Sequence, residues 1–323
     1  MTLLEIKKIG REDCQIIGPL MVLVAAIGFG FNPLFAQILF AQGLSAEMVT
    51  LYRFILPGIL LSFYLPTPAS LWPEVSRMLM IGVANGVGIF AYFYALQTLA
   101  SATAILIYYT YPFFSLLIGV LIFKREINTN GVLSAALVLI AASLVIDPSA
   151  LSMDSKWALL GCFLAPMIFA FQIQYLAQPK QSLTAPRRMA WGTMGHLIVL
   201  VPLAIYAAPE MLVPKDINGW WALMGLAFVA AALPQYLFVM GAIKTKPEVI
   251  SIFGSAELVV AMLSCALWLG LDLSRLDITA MLLVMIALGI RHPKPIAREV
   301  ESHSEPVSLT PKTVSPVAKQ ATG

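Results

Sequence analysis

The chain has 323 residues, of which 59% are hydrophobic and only 11% are charged, with a formal net charge of +3. Soluble domains carry roughly 45–50% apolar and about 25% charged residues, so this composition excludes an ordinary soluble domain. Apolar stretches recur along the chain, each near the ~20 residues that cross a ~30 Å hydrocarbon core. They lack the alternation of barrel strands, which indicates an all-α membrane protein.

Ten transmembrane helices are predicted in chain order. The predicted spans cover residues 17–41, 46–66, 76–99, 101–123, 130–147, 156–177, 188–208, 218–243, 247–270 and 275–291. A cytoplasmic segment, 1–16, precedes them, and a disordered cytoplasmic tail, 293–323, rich in Ser, Thr, Pro, Glu and Lys, follows them. The first apolar run has no convincing cleavage site at its end, so an uncleaved first span is expected.

The lysines and arginines predict the orientation, because cytoplasmic loops carry an excess of them. With ten spans and a cytoplasmic N-terminus, sixteen of these residues fall inside and only Lys156, Lys215 and Arg275 fall outside. This bias predicts a multi-pass protein of the cytoplasmic (inner) membrane with both termini in the cytoplasm.

An internal repeat is visible when the chain is shifted by 146 residues, so that 90–146 overlays 236–292 without a gap. The aligned pairs are Leu117 with Leu263, Leu121 with Leu267, Val138 with Val284, Ile140 with Ile286, Ala141 with Ala287, and Glu126 with Asp272. Each half, 17–148 and 149–292, holds five predicted spans. An odd number of crossings inverts the second half relative to the first, and inverted repeats are typical of transporters.

Broken helices at corresponding positions of the halves indicate a binding site near the bilayer midplane. The breaking residues are Gly28, Gly30 and Pro33 in the first span and Gly161 and Pro166 in the sixth, with kinks at Pro112 and Pro234. Gly82, Gly86 and Gly88 in the third span predict close helix packing rather than phosphate binding, since no strand precedes them.

Several short motifs occur in a characteristic order. They are Phe29-Gly30-Phe31-Asn32-Pro33, Leu51-Tyr52-Arg53-Phe54, Tyr94-Ala95-Leu96, Ser101-Ala102-Thr103-Ala104, Tyr111-Pro112-Phe113, Lys124-Arg125-Glu126, Glu257-Leu258 and Leu269-Gly270-Leu271-Asp272. Over about 17–291 the chain resembles the drug/metabolite transporter superfamily, of the ten-helix EamA type. Phe29 stands where that family usually has Trp, and Leu258 where it commonly has Pro. The resemblance implies a secondary transporter, commonly an exporter of amino acids or related metabolites.

Ionisable side chains in mid-span are candidate functional groups, because a charge at the centre of the bilayer costs about 2.5–3.5 kcal/mol. Glu257 is a candidate for binding a substrate amine or carrying a proton; alternatively it is a protonated glutamate that bonds a neighbouring helix. Arg53 either extends to the outer interface, or pairs with a substrate carboxylate or with Glu257. His196 either forms a helix–helix hydrogen bond or takes part in function.

Neutral polar and aromatic side chains complete the candidate substrate lining. With Arg53 and Glu257, the substrate-binding candidates are Asn32, Tyr94, Tyr108, Tyr111, Gln172, Gln235 and Ser255. One acid, one base and several aromatic rings suit a small zwitterionic or amphipathic solute. The alternative for each tyrosine is a place in an interfacial aromatic belt.

The predicted function is secondary active transport of small metabolites by alternating access, in the direction of export. Uptake by the same fold is the nearest alternative and an intramembrane enzyme a distant one, since no His-Glu-x-x-His motif occurs. No cofactor or metal is expected, because Cys14, Cys162 and Cys265 occur singly. The expected partners are a small-molecule substrate and the lipid bilayer, without nucleic acid, in a monomer or homodimer.

Overall fold

The computed structural model describes residues 3–124, 126–127, 129–146, 153–176, 182–207, 210–242, 253, 256–270 and 272–290, which form helices joined by short turns. The helices are α1 Leu3–Gly30, α2 Asn32–Ala41, α3 Ala46–Leu61, α4 Trp72–Thr98, α5 Ser101–Tyr108, α6 Tyr111–Leu121, α7 Thr129–Val145, α8 Met153–Cys162, α9 Leu164–Leu176, α10 Ala185–Ala207, α11 Ile217–Met224, α12 Leu233–Ala242, α13 Ala256–Leu269 and α14 Arg275–Gly289. Residues 1–292 form one compact unit. The predicted tail, 293–323, lies outside the described residues.

Within the described residues, seven helical segments are long and apolar enough to cross a bilayer. They are Ile16–Ala41, Ala46–Tyr64, Ala69–Thr98, Ser101–Leu121, Met153–Gln172, Ala185–Ala207 and Ile217–Phe238, and they correspond to predicted spans one to four and six to eight. The helices of the fifth, ninth and tenth spans have 17, 14 and 15 described residues. At 1.5 Å per residue they measure about 21–26 Å, short of a ~30 Å core. Ten crossings therefore stay a prediction.

The predicted helix breaks are present where the structure describes them. Phe31 separates α1 from α2, Phe163 separates α8 from α9, and a turn at 109–110 separates α5 from α6. The eighth span was expected to kink at Pro234; in the structure a π-helical segment, Gly225–Ala232, joins α11 to α12 just before it. π-Helical turns inside α-helices are frequent at functional sites.

The glycines of the third span confirm the prediction of close packing. A Cβ added at Gly82 would lie 2.1 Å from the carbonyl oxygen of Gly192 on α10, and one at Gly86 would lie 3.2 Å from the Cα of His196. From the other helix, a Cβ at Gly195 would lie 2.4 Å from the carbonyl oxygen of Leu79. α4 and α10 therefore pack backbone against backbone, as small residues allow between helices in lipid.

Residues aligned by the 146-residue shift have matching exposure. Val138 and Val284 are 0% and 1% exposed, while Leu121 and Leu267 are 68% and 76% exposed. Ile140 and Ile286 are half-exposed, and Ala141 and Ala287 are both fully buried. Because chance matches of aliphatic residues would not share burial, the alignment pairs structurally equivalent positions in the two halves.

The contacts between the halves are reciprocal. In the repeat, α1 corresponds to α8 and α9, α4 to α11 and α12, and α6 to α13. The contact of α1 with α12 is matched by that of α8 and α9 with α4, and the contact of α6 with α9 is matched by that of α13 with α1. The contact of α4 with α10 is likewise matched by that of the π-helical segment with α3. Two corresponding pairs, α7 with α14 and α3 with α10, contact each other directly. An interface in which each contact recurs with the partners exchanged is what a two-fold axis produces.

Two connections between spans are held by carboxylates. Asp216 accepts hydrogen bonds from the Gln42 side-chain amide (2.9 Å) and the Gly219 N–H (2.9 Å), and these donors lower the pKa of Asp216 below its usual value. Glu74 accepts a hydrogen bond of 2.8 Å from the backbone N–H of Ser182. Each of these carboxylates therefore bonds a connection of the second half, at Asp216 or Ser182, to a residue of the first half, Gln42 or Glu74.

Gly195→Ala tests the α4–α10 contact. The added methyl group would overlap the backbone of α4, so we expect the free energy of unfolding to fall by about 1–3 kcal/mol. Thermal unfolding of the detergent-solubilised protein measures the effect.

Gly192→Ala is the matched control, three residues earlier on the same helix. A Cβ at Gly192 has no neighbouring atom within 4 Å, and alanine favours a helix over glycine by up to ~1 kcal/mol. Equal losses of stability in both variants would contradict the contact.

Candidate substrate site

The guanidinium of the half-buried Arg53 lies close to two aromatic rings. Its guanidinium carbon lies 5.7 Å from the ring centroid of Phe54 and 5.6 Å from that of Phe93, which is fully buried. Such cation–π contacts stabilise a partly desolvated guanidinium. Arg53 therefore contacts aromatic rings of the second and third spans, and its pairing with a substrate carboxylate stays a prediction.

Glu257 lies in the first turn of α13 and faces the protein interior. Its carboxylate interacts electrostatically with Arg53 and approaches the hydroxyl of Tyr109. No ion pair within 4.0 Å joins Glu257 to Arg53. Acid and base therefore share one region of the interior without direct contact.

The position of Glu257 depends on the break in the first span. A Cβ at Gly30 would lie 2.7 Å from the carbonyl oxygen of Glu257 and 2.6 Å from the Cβ of Val260. The end of α1 therefore lies directly against the first turn of α13. Glycine permits this approach because it carries no side chain.

Four aromatic rings line the region beside Arg53 and Glu257. Tyr108 lies 5.2 Å from Tyr92 and 5.9 Å from Phe169, and Tyr111 lies 5.4 Å from Phe169. Glu257 interacts electrostatically with Tyr92, Tyr108 and Tyr111. We call Arg53, Glu257 and the tyrosines Tyr92, Tyr108, Tyr109 and Tyr111 the polar cluster.

Several buried polar atoms in and near the polar cluster make no hydrogen bond of good geometry in the described part of the chain. They are the Nε of Arg53, the Oδ1 of Asn32 and the hydroxyl of Tyr109, which lies near the Glu257 carboxylate without hydrogen-bonding geometry. Asn32 is buried at the break between α1 and α2, where its Nδ2 donates to the carbonyl oxygen of Phe29 (2.7 Å). An unpaired buried polar group costs about 1–3 kcal/mol, so these atoms are available to bind a ligand.

The other candidates lie at different distances from the polar cluster. Gln172 accepts a hydrogen bond from Asn85 (2.9 Å), one turn beyond Phe169. Tyr94 lies on the exposed side of α4 and contacts Phe90, so the structure does not bring it to the cluster. Gln235 lies half-buried on α12, without a described contact to the cluster. Ser255 lies outside the described residues.

His196 is packed beside the polar cluster but bonded within its own helix. Its Nδ1 donates to the carbonyl oxygen of Gly192 at 2.6 Å, since a carbonyl can only accept. Its ring stacks on Phe54 at 4.2 Å between centroids. The predicted helix–helix hydrogen bond is therefore not what holds this ring; the contact across helices is aromatic.

Tyr92 and Phe169 were missed by the sequence analysis. Tyr92 lies seven residues after Asn85, two helical turns along the buried face of α4, and this spacing is the signal that favours it over Tyr94. Phe169 carries no polar group, so only its position in the structure identifies it.

The polar cluster can bind charge of both signs. Arg53 offers N–H donors to an anion, and Glu257 offers an acceptor to a cation, while the rings present apolar faces between them. No group of three or more His, Cys, Asp or Glu side chains is placed to hold a metal ion in the part of the chain that the structure describes. The arrangement suits reversible binding of a small solute.

Comparisons with known proteins identify the family. The profile of the EamA-like transporter family matches residues 16–147 and again residues 156–290. No curated protein matches the chain. Among similar solved structures is one described as "Crystal structure of protein", with 15% sequence identity and a TM-score of 0.59. The match covers 84% of this chain and 95% of the other. At this identity the likeness concerns the fold alone. Since the two matches together span most of the sequence, the chain belongs to the EamA-like transporter family.

Proposed function

We propose that this multi-pass membrane transporter exports small zwitterionic metabolites, amino acids or related amphipathic solutes, across the cytoplasmic membrane by alternating access. One observation carries the proposal: Arg53 and Glu257 share one interior region without forming an ion pair, beside hydroxyl and amide atoms that lack hydrogen-bond partners among the described residues. A base and an acid are costly at this depth. A zwitterion compensates both, because its carboxylate binds Arg53 while its ammonium group binds Glu257.

The polar cluster joins the two halves, as alternating access requires. Arg53 and the tyrosines come from α3 to α6 of the first half, 17–148, and Glu257 comes from α13 of the second half, 149–292. The reciprocal contacts between corresponding helices support two halves of the same fold that exchange conformations. Ten crossings make the halves inverted, and the excess of lysine and arginine on one side puts both termini in the cytoplasm.

The direction of transport depends on the gradients of solute and coupling ion across the membrane as well as on the fold. Glu257 is the candidate for proton exchange, because a carboxyl group beside a substrate site can release a proton when the substrate ammonium arrives. Uptake with the same residues is the alternative to export. Membership of a transporter family makes a non-enzymatic role the expected one, in a monomer or homodimer.

Glu257→Gln tests the proton role. We expect the variant to lose transport driven by a pH gradient, since an amide cannot exchange a proton, while it still reconstitutes and folds. Transport of an amino-acid panel is measured in right-side-out and inverted vesicles, with and without the gradient.

Glu126→Gln is the control for this experiment, because Glu126 is exposed outside the helices. If Glu257→Gln transports the panel and responds to pH as the unchanged protein does, Glu257 carries no proton.

Arg53→Met tests recognition of a carboxylate. Losing one partner of a buried charge pair costs about 2–5 kcal/mol, so we expect at least a tenfold rise in Kd for amino acids. Amino-acid amides, which lack the carboxylate, should bind both proteins alike. Arg77→Met removes an exposed arginine and should leave Kd unchanged; equal affinity of Arg53→Met for the acids would disprove this role.

Tyr109→Phe separates binding from stability. The hydroxyl has no described hydrogen-bond partner, so its removal should leave thermal unfolding unchanged. If it bonds the substrate, Kd should rise about three- to tenfold, the effect of one hydrogen bond. Tyr206→Phe, at a ring that is 90% exposed, is the control; a loss of stability in Tyr109→Phe alone would indicate a structural bond instead.

A further inference from the structure

A cavity opens between the start of α5 and the end of α13. Its lining comes from the start of α5, from α13 and from the connection to α14. The residues at its rim include Ala102, Thr103, Asp272 and Asp277. Under the orientation predicted from lysine and arginine, this rim faces the outside of the cell.

The floor of the cavity consists of three side chains with almost no exposed surface. Ile105 and Met262 are each 1% exposed, and Cys265 is 2% exposed. Ile105 belongs to α5 and the other two to α13, and these helices pack against each other. The floor is therefore a thin apolar layer between two helices that belong to different halves.

Residues of the polar cluster lie one to two helical turns further along the two helices that form this layer. Tyr108 and Tyr109 follow Ile105 by three and four residues on the same segment, about one helical turn deeper. Tyr92 interacts electrostatically with both Cys265 and Glu257. On α13, Glu257 precedes Met262 by five residues, so members of the polar cluster follow the floor along both helices.

We infer that this cavity is the mouth of the translocation path on that face and that Ile105, Met262 and Cys265 form its gate. The inference rests on the proposed transport function. An apolar layer closes a path because ions and zwitterions lose hydration on entering it, and separation of α5 from α13 would open it. Asp272 and Asp277 at the rim make the mouth attractive to the positively charged end of a solute.

Thiol accessibility tests the gate without a known substrate. In proteins with a single cysteine, we would measure the reaction rate of a membrane-impermeant, positively charged methanethiosulfonate reagent applied from either side. The reporters are Ala102→Cys in the mouth, the native Cys265 in the gate, and the native Cys162. Cys162 is fully buried, and it interacts electrostatically with Tyr92 of the polar cluster.

We expect Ala102→Cys to react fast from the outside and Cys162 to react slowly. Met262→Ala should raise the rate at Cys162 at least tenfold from the outside only, and leave Ala102→Cys unchanged. Leu263→Ala, at the exposed neighbouring side chain, should change neither rate. Ile105→Ala opens the same layer from the other helix and replaces Met262→Ala if that variant does not fold.

An unchanged rate at Cys162 in both gate variants, or an equal rise from the cytoplasmic side, would overturn the gate. Loss of transport function would leave these rates unaffected, so the two failures are distinguishable: a protein that moves no solute can still show a gated thiol.

The contribution of Asp272 to the charge of the mouth is tested separately, with thiol reagents of opposite charge. At Ala102→Cys, the rate ratio of the positively charged to the negatively charged reagent should fall severalfold in Asp272→Asn, because a nearby carboxylate attracts one and repels the other. Glu210→Gln removes an exposed carboxylate outside the cavity and should leave the ratio unchanged. An equal fall in both variants would assign the effect to overall charge and not to the mouth.

Discussion

Close approach of helix backbones at glycines is the constraint on which the rest of this structure depends. Within lipid there is no hydrophobic drive for one apolar helix to leave the hydrocarbon for another, so packing contacts must hold the bundle together. Gly82 and Gly195 bring α4 of one half against α10 of the other, and Gly30 brings the end of α1 against α13. The second of these contacts sets the position of Glu257. The site is therefore assembled by the same contacts that join the halves.

The polar cluster is held by apolar and aromatic surroundings more than by bonds among its own members. Phe54 and Phe93 flank Arg53, and Phe169 contacts two of the tyrosines. Polar groups left unpaired at this depth reduce stability. The proposed substrate would compensate these groups when it binds.

The two halves are equivalent in their contacts but not identical in their backbone. Corresponding residues of α7 and α14 share burial, and the contacts between halves recur with partners exchanged. The third span, however, is α-helical from Trp72 to Thr98, while the eighth contains the π-helical segment Gly225–Ala232. A π-helix uses i→i+5 in place of i→i+4 hydrogen bonds and is frequent at functional sites. The backbones of the two halves therefore differ at this equivalent place.

The sequence by itself determined the membrane class, the family, the breaks at glycine and proline, and the register of the repeat, because these depend on composition and local backbone chemistry. It also indicated Arg53 and Glu257, since charge in an apolar span is visible without a structure. Tertiary structure decided which way the side chains point. It placed Tyr92 rather than Tyr94 in the polar cluster, set Arg53 beside Phe54 and Phe93, and added Phe169. Helices that are apolar on every side give no periodic signal of rotation, so only their packing distinguishes the face toward the site from the face toward lipid.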